Sequence, residues 1–210
     1  MYFFVFRFHD KNIRFVFMQE VKVKILKEEL LSDNWYTLKK YTYEILQRNG
    51  RWQKQTREVY DRGNGAVILL YNQEFKTVIL TRQFRLPSLV NGNEKGVLIE
   101  ACAGLLDLDN PEEAIKRETE EETGYRINEV RKVFEAYMSP GSVSEILYFF
   151  IAAYSQSMKV HEGGGIAHEQ EDIEVIEIGF EYAWQLIETG EIRDAKTILL
   201  LQYLKIKQIM

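Results

Sequence analysis

The sequence predicts an α+β fold: a mixed sheet held between helices, preceded by a small antiparallel sheet. Three observations lead there. Segments 20–28 and 35–48 alternate polar and apolar residues, as half-buried strands do. A series of strand-length segments follows, broken once by a strongly capped acidic helix near 111–123. Two further helical segments close the chain. With 210 residues, 46% of them hydrophobic, there is material for one full core and one extra subdomain.

The elements run in order as follows. Residues 1–19, MYFFVFRFHDKNIRFVFMQ, contain an FFVF cluster that Arg7, His9, Asp10 and Lys11 interrupt too soon for a signal peptide or a membrane span. They are expected to be an N-terminal extension, with Met18 as an alternative start, or else an added edge strand. Residues 20–54 form an N-terminal β subdomain, its strands set off by the turn residues Ser32-Asp33-Asn34 and Asn49-Gly50. Residues 55–210 form the main domain. Its core strands are expected near 55–61, 65–71, 76–84 and 97–101 before the acidic helix, and near 127–137 and 145–153 after it. GGGIAHEQEDIEV at 163–175 reads as a mobile acidic loop entering a strand, and helices near 180–189 and 195–208 end the chain. No repeat or low-complexity linker interrupts it.

Charge and cysteine content narrow the function classes. A net charge of −5 disfavours a nucleic-acid partner, which needs a basic footprint. An anionic substrate would then need metal ions and a few local Arg or Lys residues. The single cysteine, Cys102, excludes an intramolecular disulfide and points to the reducing cytoplasm. It lies at an apolar strand end and reads as buried filler rather than nucleophile. His9, His161 and His168 lack metal-ligand or triad spacing, and no G-x-S-x-G elbow is present.

The acidic helix carries the chemistry. Asn110 is a natural N-cap, Pro111 suits the first helical position, Glu113 completes a capping-box pattern, and Gly124 suits the left-handed residue after the end. Arg117, Glu118, Glu121, Glu122 and Gly124 form the string R-E-x-x-E-E-x-G. Glu118, Glu121 and Glu122 stand at i, i+3 and i+4 and are neighbours on the helix surface. Ile115 leads along the same stripe to Glu118, Thr119 and Glu122, so these acids continue the apolar face. Carboxylates clustered on an inward face repel one another and pay desolvation unless a cation compensates. Oxygen-only donors suit magnesium, with manganese as a substitute. Glu118 and Glu122 are the first-choice ligands. Glu121 is placed to ligate or to orient a bound water.

At these residues the chain resembles the Nudix hydrolases, whose signature is G-x5-E-x7-R-E-U-x-E-E-x-G-U, with U a bulky aliphatic. Arg117, Glu118, Glu121, Glu122 and Gly124 match in register. Asp109 stands where the pattern has Glu, Gly104 is one residue too close to it, and Thr119 and Tyr125 replace aliphatics. The strings at 57–72, 81–96, 99–107, 137–145 and 189–204 extend the resemblance over roughly residues 20–205. They look like the GDP-mannose pyrophosphatase (NudK-type) subgroup. The sister subgroup, ADP-ribose pyrophosphatase, shares the E-x-x-A-G approach, here Glu100 to Gly104.

The resemblance implies a Nudix-type α/β/α sandwich and a homodimer formed through the N-terminal sheet. It implies magnesium-dependent hydrolysis of a nucleotide sugar, GDP-mannose giving GMP and mannose 1-phosphate. The alternatives are ADP-ribose hydrolysis and a domain that senses a nucleotide sugar without cleaving it. It further implies metal ligation by the Ala103 carbonyl, Glu118, Glu122 and Glu171, and catalysis by Glu118, Glu121, Glu122 and Glu171. The proton acceptor stays open between Glu171, Glu145 and the helix acids. Arg117 is expected to steady a neighbouring carboxylate. Substrate contacts are implied at Trp35 (stacking on the base from the partner subunit), Arg57, Glu58, Arg85, Leu105, Glu145, Gln170 and Lys196. Arg82 reads equally as a structural ion pair.

Overall fold

The computed structural model describes residues 21–106, 110–166 and 171–210. The expectations for residues 1–19, Asp109 and Gln170 fall outside the described residues.

Two sheets organise the chain. The first is antiparallel, in the order β1 (Val23–Asp33), β2 (Thr37–Leu46), β3 (Trp52–Asp61). The strand expected near 55–61 as the first of the core therefore belongs to the N-terminal sheet, paired with β2 over its whole length. β1 also runs further than the alternation suggests. Register shifts between Ile25 and Lys27 and between Leu30 and Ser32 break the period of two, so KEELL no longer reads as one strand face.

The second sheet has seven strands: β4 (Gly65–Asn72), β5 (Thr77–Phe84), β6 (Val97–Glu100), β7 (Ala103–Leu105), β8 (Arg131–Tyr137), β9 (Ile146–Ala153) and β10 (Glu174–Gly179). Its path is β10-β5-β4-β9-β8, with β6 on β5 and β7 on β4. β4 and β9 are parallel and the other pairs antiparallel, so the sheet is mixed. Side chains alternate across it. Val67, Leu69, Val78, Leu80, Phe149 and Ile151 pack with Phe180, Ala183, Leu200, Leu201 and Leu204 of α3 (Phe180–Glu188) and α4 (Ala195–Ile206). Ala66, Ile68, Leu70, Ile79 and Phe150 pack on the other face with Cys102, Tyr125 and Ile115, the last from α2 (Pro111–Thr123). Because both faces of β4 are covered, Gly65 to Leu70 are all buried. This is the α/β/α sandwich expected from the sequence.

Two short elements escaped sequence reading: β7, only three residues long, and α1 (Leu86–Val90), which starts at Arg85 and carries Pro87 in its first turn. The two sheets meet where β3 ends. Tyr60 exchanges backbone hydrogen bonds with Ser142 and Ser144, and the Ser144 hydroxyl donates to Asp61. This seam brings the β1–β2 turn, with Trp35, to a cleft that Gly65 and Leu147, at the starts of β4 and β9, also line.

Candidate active site

The α2 helix is capped as its sequence requires. The Asn110 side chain accepts from the amides of Glu112 and Glu113, and Gly124 takes the left-handed conformation at φ 78°. Ile115, Thr119 and Glu122 are buried along one stripe. Thr119 fits where an aliphatic is usual because its hydroxyl bonds back to the Ile115 carbonyl. Tyr125 packs edge-to-face on Tyr154 within the core.

The acids of this helix are held differently. Glu118 lies directly over Gly104, where an added Cβ would fall on its carboxyl group. Arg117 pairs with Glu118 and reaches Glu121 at 3.7 Å. Glu122 is 3% exposed, and its Oε2 is the buried side-chain oxygen without a hydrogen-bond partner among the described residues. Burial, with the charges of Glu171 and Glu118 adding, pushes its carboxyl up to about 8. Burial and the adjoining Glu122 also raise the Cys102 thiol well above its ordinary range, so it is no nucleophile at neutral pH.

Glu171 comes in from the glycine-rich loop, where its carboxylate accepts the Ile166 amide at 3.0 Å. The glycines before it serve close packing rather than freedom to close. Gly163, Gly164 and Gly165 all have positive φ, and the amides of Gly164 and Gly165 donate to the Glu122 and Glu121 carbonyls at the end of α2. A Cβ at Gly163 would collide with the Glu122 carbonyl, and one at Gly165 with the Glu171 side chain. The loop is thereby tied to the helix that bears the acids.

Among the described residues no three acidic, Cys or His side chains stand at metal-ligand spacing. Glu118 and Glu122 share a helix face, and Glu171 belongs to the loop over that helix's end. An orphaned buried carboxylate oxygen amid hard oxygen donors is what a divalent magnesium or manganese ion would satisfy. The residues present fit such an ion.

Glu118 and Glu171 line a cleft of about 1440 Å3. Its lining gathers Trp35, Arg85, Ala103, Leu105, Glu118, Glu145, Glu171 and Lys196, residues spread over most of the chain. Glu145 sits 3.6 Å from Arg62. Arg85 and Lys196 both meet the buried carboxylate of Glu100, at 2.7 and 3.3 Å. Arg82 also lines the cleft and pairs with Glu174 at 2.7 Å. Arg57 and Glu58 lie on exposed β3 and do not line this cleft, and the Arg57 guanidinium turns back to the Thr56 carbonyl. Trp35 is 84% exposed at its rim. Glu100, Arg62 and Asp194 were missed as site residues. Glu100 stands at the head of the E-x-x-A-G string, and Asp194 precedes α4 as its N-cap, so each carried a signal.

Residues 22–60 match the family described as the GDP-mannose pyrophosphatase NudK N-terminal domain, and residues 61–200 match the NUDIX domain. The chain is 56% identical over 189 residues to a GDP-mannose pyrophosphatase of Escherichia coli O1:K1, covering 90% of this chain and 98% of that one. It is 55% identical, with the same coverage, to the protein of that name from Escherichia coli strain K12.

Proposed function

The chain belongs to the NUDIX family and is a pyrophosphatase of nucleotide sugars, and on that premise we propose that it hydrolyses GDP-mannose to GMP and mannose 1-phosphate with magnesium. The observation that carries the reading is the buried Glu122 Oε2, partnerless among the described residues, on a helix whose Glu118 lines a cleft that Arg85 and Lys196 also line. That arrangement suits a ligand with negative charge at one end of a cation site.

Glu118, Glu122, Glu171 and the Ala103 carbonyl would hold the metal. When bound, magnesium supplies positive charge against the phosphoryl oxygens and lowers the pKa of attacking water. Glu171 would be placed to accept a proton from the attacking water, and Glu121 to orient it. Arg117 holds Glu118 and Glu121 in place. Arg85 pairs with phosphate oxygens through its fork. Lys196, Glu145 and Leu105 line the sugar-phosphate side, and Trp35 stacks on the base.

Homodimerisation completes the reading. The N-terminal sheet exposes Val23, Ile25, Leu26, Leu30, Leu31 and Trp52, and a second copy would cover them. In that assembly Arg57 and Glu58 reach the partner's cleft, while Trp35 stays at the rim of its own. The subdomain boundary then falls after β3, near residue 61 rather than near 54, ahead of the catalytic domain. No helix among the described residues is long and apolar enough to cross a membrane. A cytoplasmic location is supported by the lone cysteine, Cys102, buried as a thiol.

The test is turnover with magnesium across GDP-mannose, ADP-ribose and related nucleotide diphosphate compounds, scoring products. GMP and mannose 1-phosphate are expected. ADP-ribose turnover far above GDP-mannose would reassign the substrate, and binding without turnover would make the protein a sensor.

A further inference from the structure

Arg85 and Lys196 arrive at the cleft from different elements, the first from the end of β5 and the second from the first turn of α4. Both meet Glu100, the last residue of β6, whose side chain is only 3% exposed. Arg85 donates to it through Nε and Nη2, which leaves Nη1 for a ligand. Lys196 divides its ammonium between Glu100 at 3.3 Å and Asp194 at 2.9 Å, with a third donor to spare. Burial pushes the Glu100 carboxyl up, but Lys196 and Arg85 outweigh it and hold the group below its ordinary range.

The network is bolted to the scaffold. Asp194 accepts the amide and hydroxyl of Thr197 at 2.9 and 2.5 Å, and the Thr197 hydroxyl in turn accepts the Ala101 amide at 2.7 Å. The start of α4 is thereby fixed to the residue after Glu100. A bolt of this kind would suffice to hold the helix on the sheet. It would not need two cations at the cleft wall, each with donors left over and one of them, Arg85, 39% exposed.

We infer that Glu100 is a positioning residue: it holds Arg85 and Lys196 side by side, donors outward, as a fixed cationic wall for the phosphate-bearing end of the substrate. This rests on the reading of Arg85 and Lys196 as substrate contacts. Without Glu100 the two cations would repel each other and swing apart, and anchoring would then cost entropy at every binding event.

The experiment is steady-state kinetics with GDP-mannose and magnesium for Arg85→Met, Glu100→Gln, Glu100→Asp and the Arg85→Met/Glu100→Gln pair, with circular dichroism for each. Arg85→Met is expected to raise KM by about tenfold or more. Glu100→Gln should raise KM about tenfold while kcat stays within about threefold, and Glu100→Asp should recover part of the loss. In the Arg85→Met background Glu100→Gln should add clearly less than its full effect, because only the part that runs through Lys196 remains. A normal KM for Glu100→Gln beside a raised one for Arg85→Met overturns the inference and leaves the contact reading standing. So does a full Glu100→Gln effect in the double variant. A normal KM for Arg85→Met overturns both. If Glu100→Gln does not fold, Glu100→Asp decides: raised KM with kept kcat supports positioning, and unchanged KM overturns it.

Discussion

At the scale of single residues, Glu122 is the most constrained group in the site. Among the described residues its buried oxygen lacks a partner, and its carboxyl is pushed up to about 8, first by burial. An acid raised above its unfolded pKa of about 4.3 binds more protons folded than unfolded between those values. Stability of the metal-free protein is therefore lost as pH rises from about 4.3 through about 8. Glu122→Gln removes that loss. Held in a chelator at pH 8.5, the Glu122→Gln protein should melt above the native protein by roughly 2–4 °C or more, and the gap should close near pH 4.5. Its turnover with magnesium should fall by several orders of magnitude although it is the more stable protein. Near-normal activity, or a lower melting point at pH 8.5, would remove Glu122 from the metal site. The burial of Glu122 was legible in the sequence because helical spacing sets it. Glu100 was legible only as the head of the E-x-x-A-G string, since its pairing with Arg85 and Lys196 is a meeting of β5, β6 and α4 that spacing cannot encode.

At the scale of elements, the site depends on close backbone approach. β7 runs beneath α2 so tightly that Gly104 has no room for a Cβ beside Glu118. Gly104→Ala should displace the Glu118 carboxylate and cut kcat by about a hundredfold, while α2, whose caps are untouched, keeps the fold. Activity near the native value would mean that Glu118 needs no fixed position. The helix was readable because Asn110, Pro111 and Gly124 act locally. β7 was not, because three residues carry no period. β1 was under-read for a related reason: bulges shift its faces mid-strand, so alternation stops before the strand does. The glycine run before Glu171 shows the opposite error, since sequence could not distinguish glycines that permit motion from glycines that permit contact with the end of α2.

At the scale of the whole molecule, the two sheets solve burial differently. The seven-stranded sheet is covered by helices on both faces and buries its own core. Among the described residues the three-stranded sheet has no such cover, and β1 leaves Val23, Ile25, Leu26, Leu30 and Leu31 between 46% and 59% exposed. Ile25-Leu26 and Leu30-Leu31 stand at the two bulges of β1, and all four side chains stay exposed. A second copy of the same sheet, related by two-fold symmetry, offers matching surface. That assembly would also give work to Arg57 and Glu58, which their own cleft leaves out. Replacing Ile25 and Leu30 with Asp should therefore convert a dimer to a monomer by light scattering and lower kcat/KM for GDP-mannose, with the core domain still folded. Arg57→Ala should lower kcat/KM without dissociating the dimer, since its charge is not part of the apolar contact. A native protein that is already monomeric at micromolar concentration, or an active Asp variant shown to be monomeric, would confine the site to one chain and leave the exposed strand without this explanation.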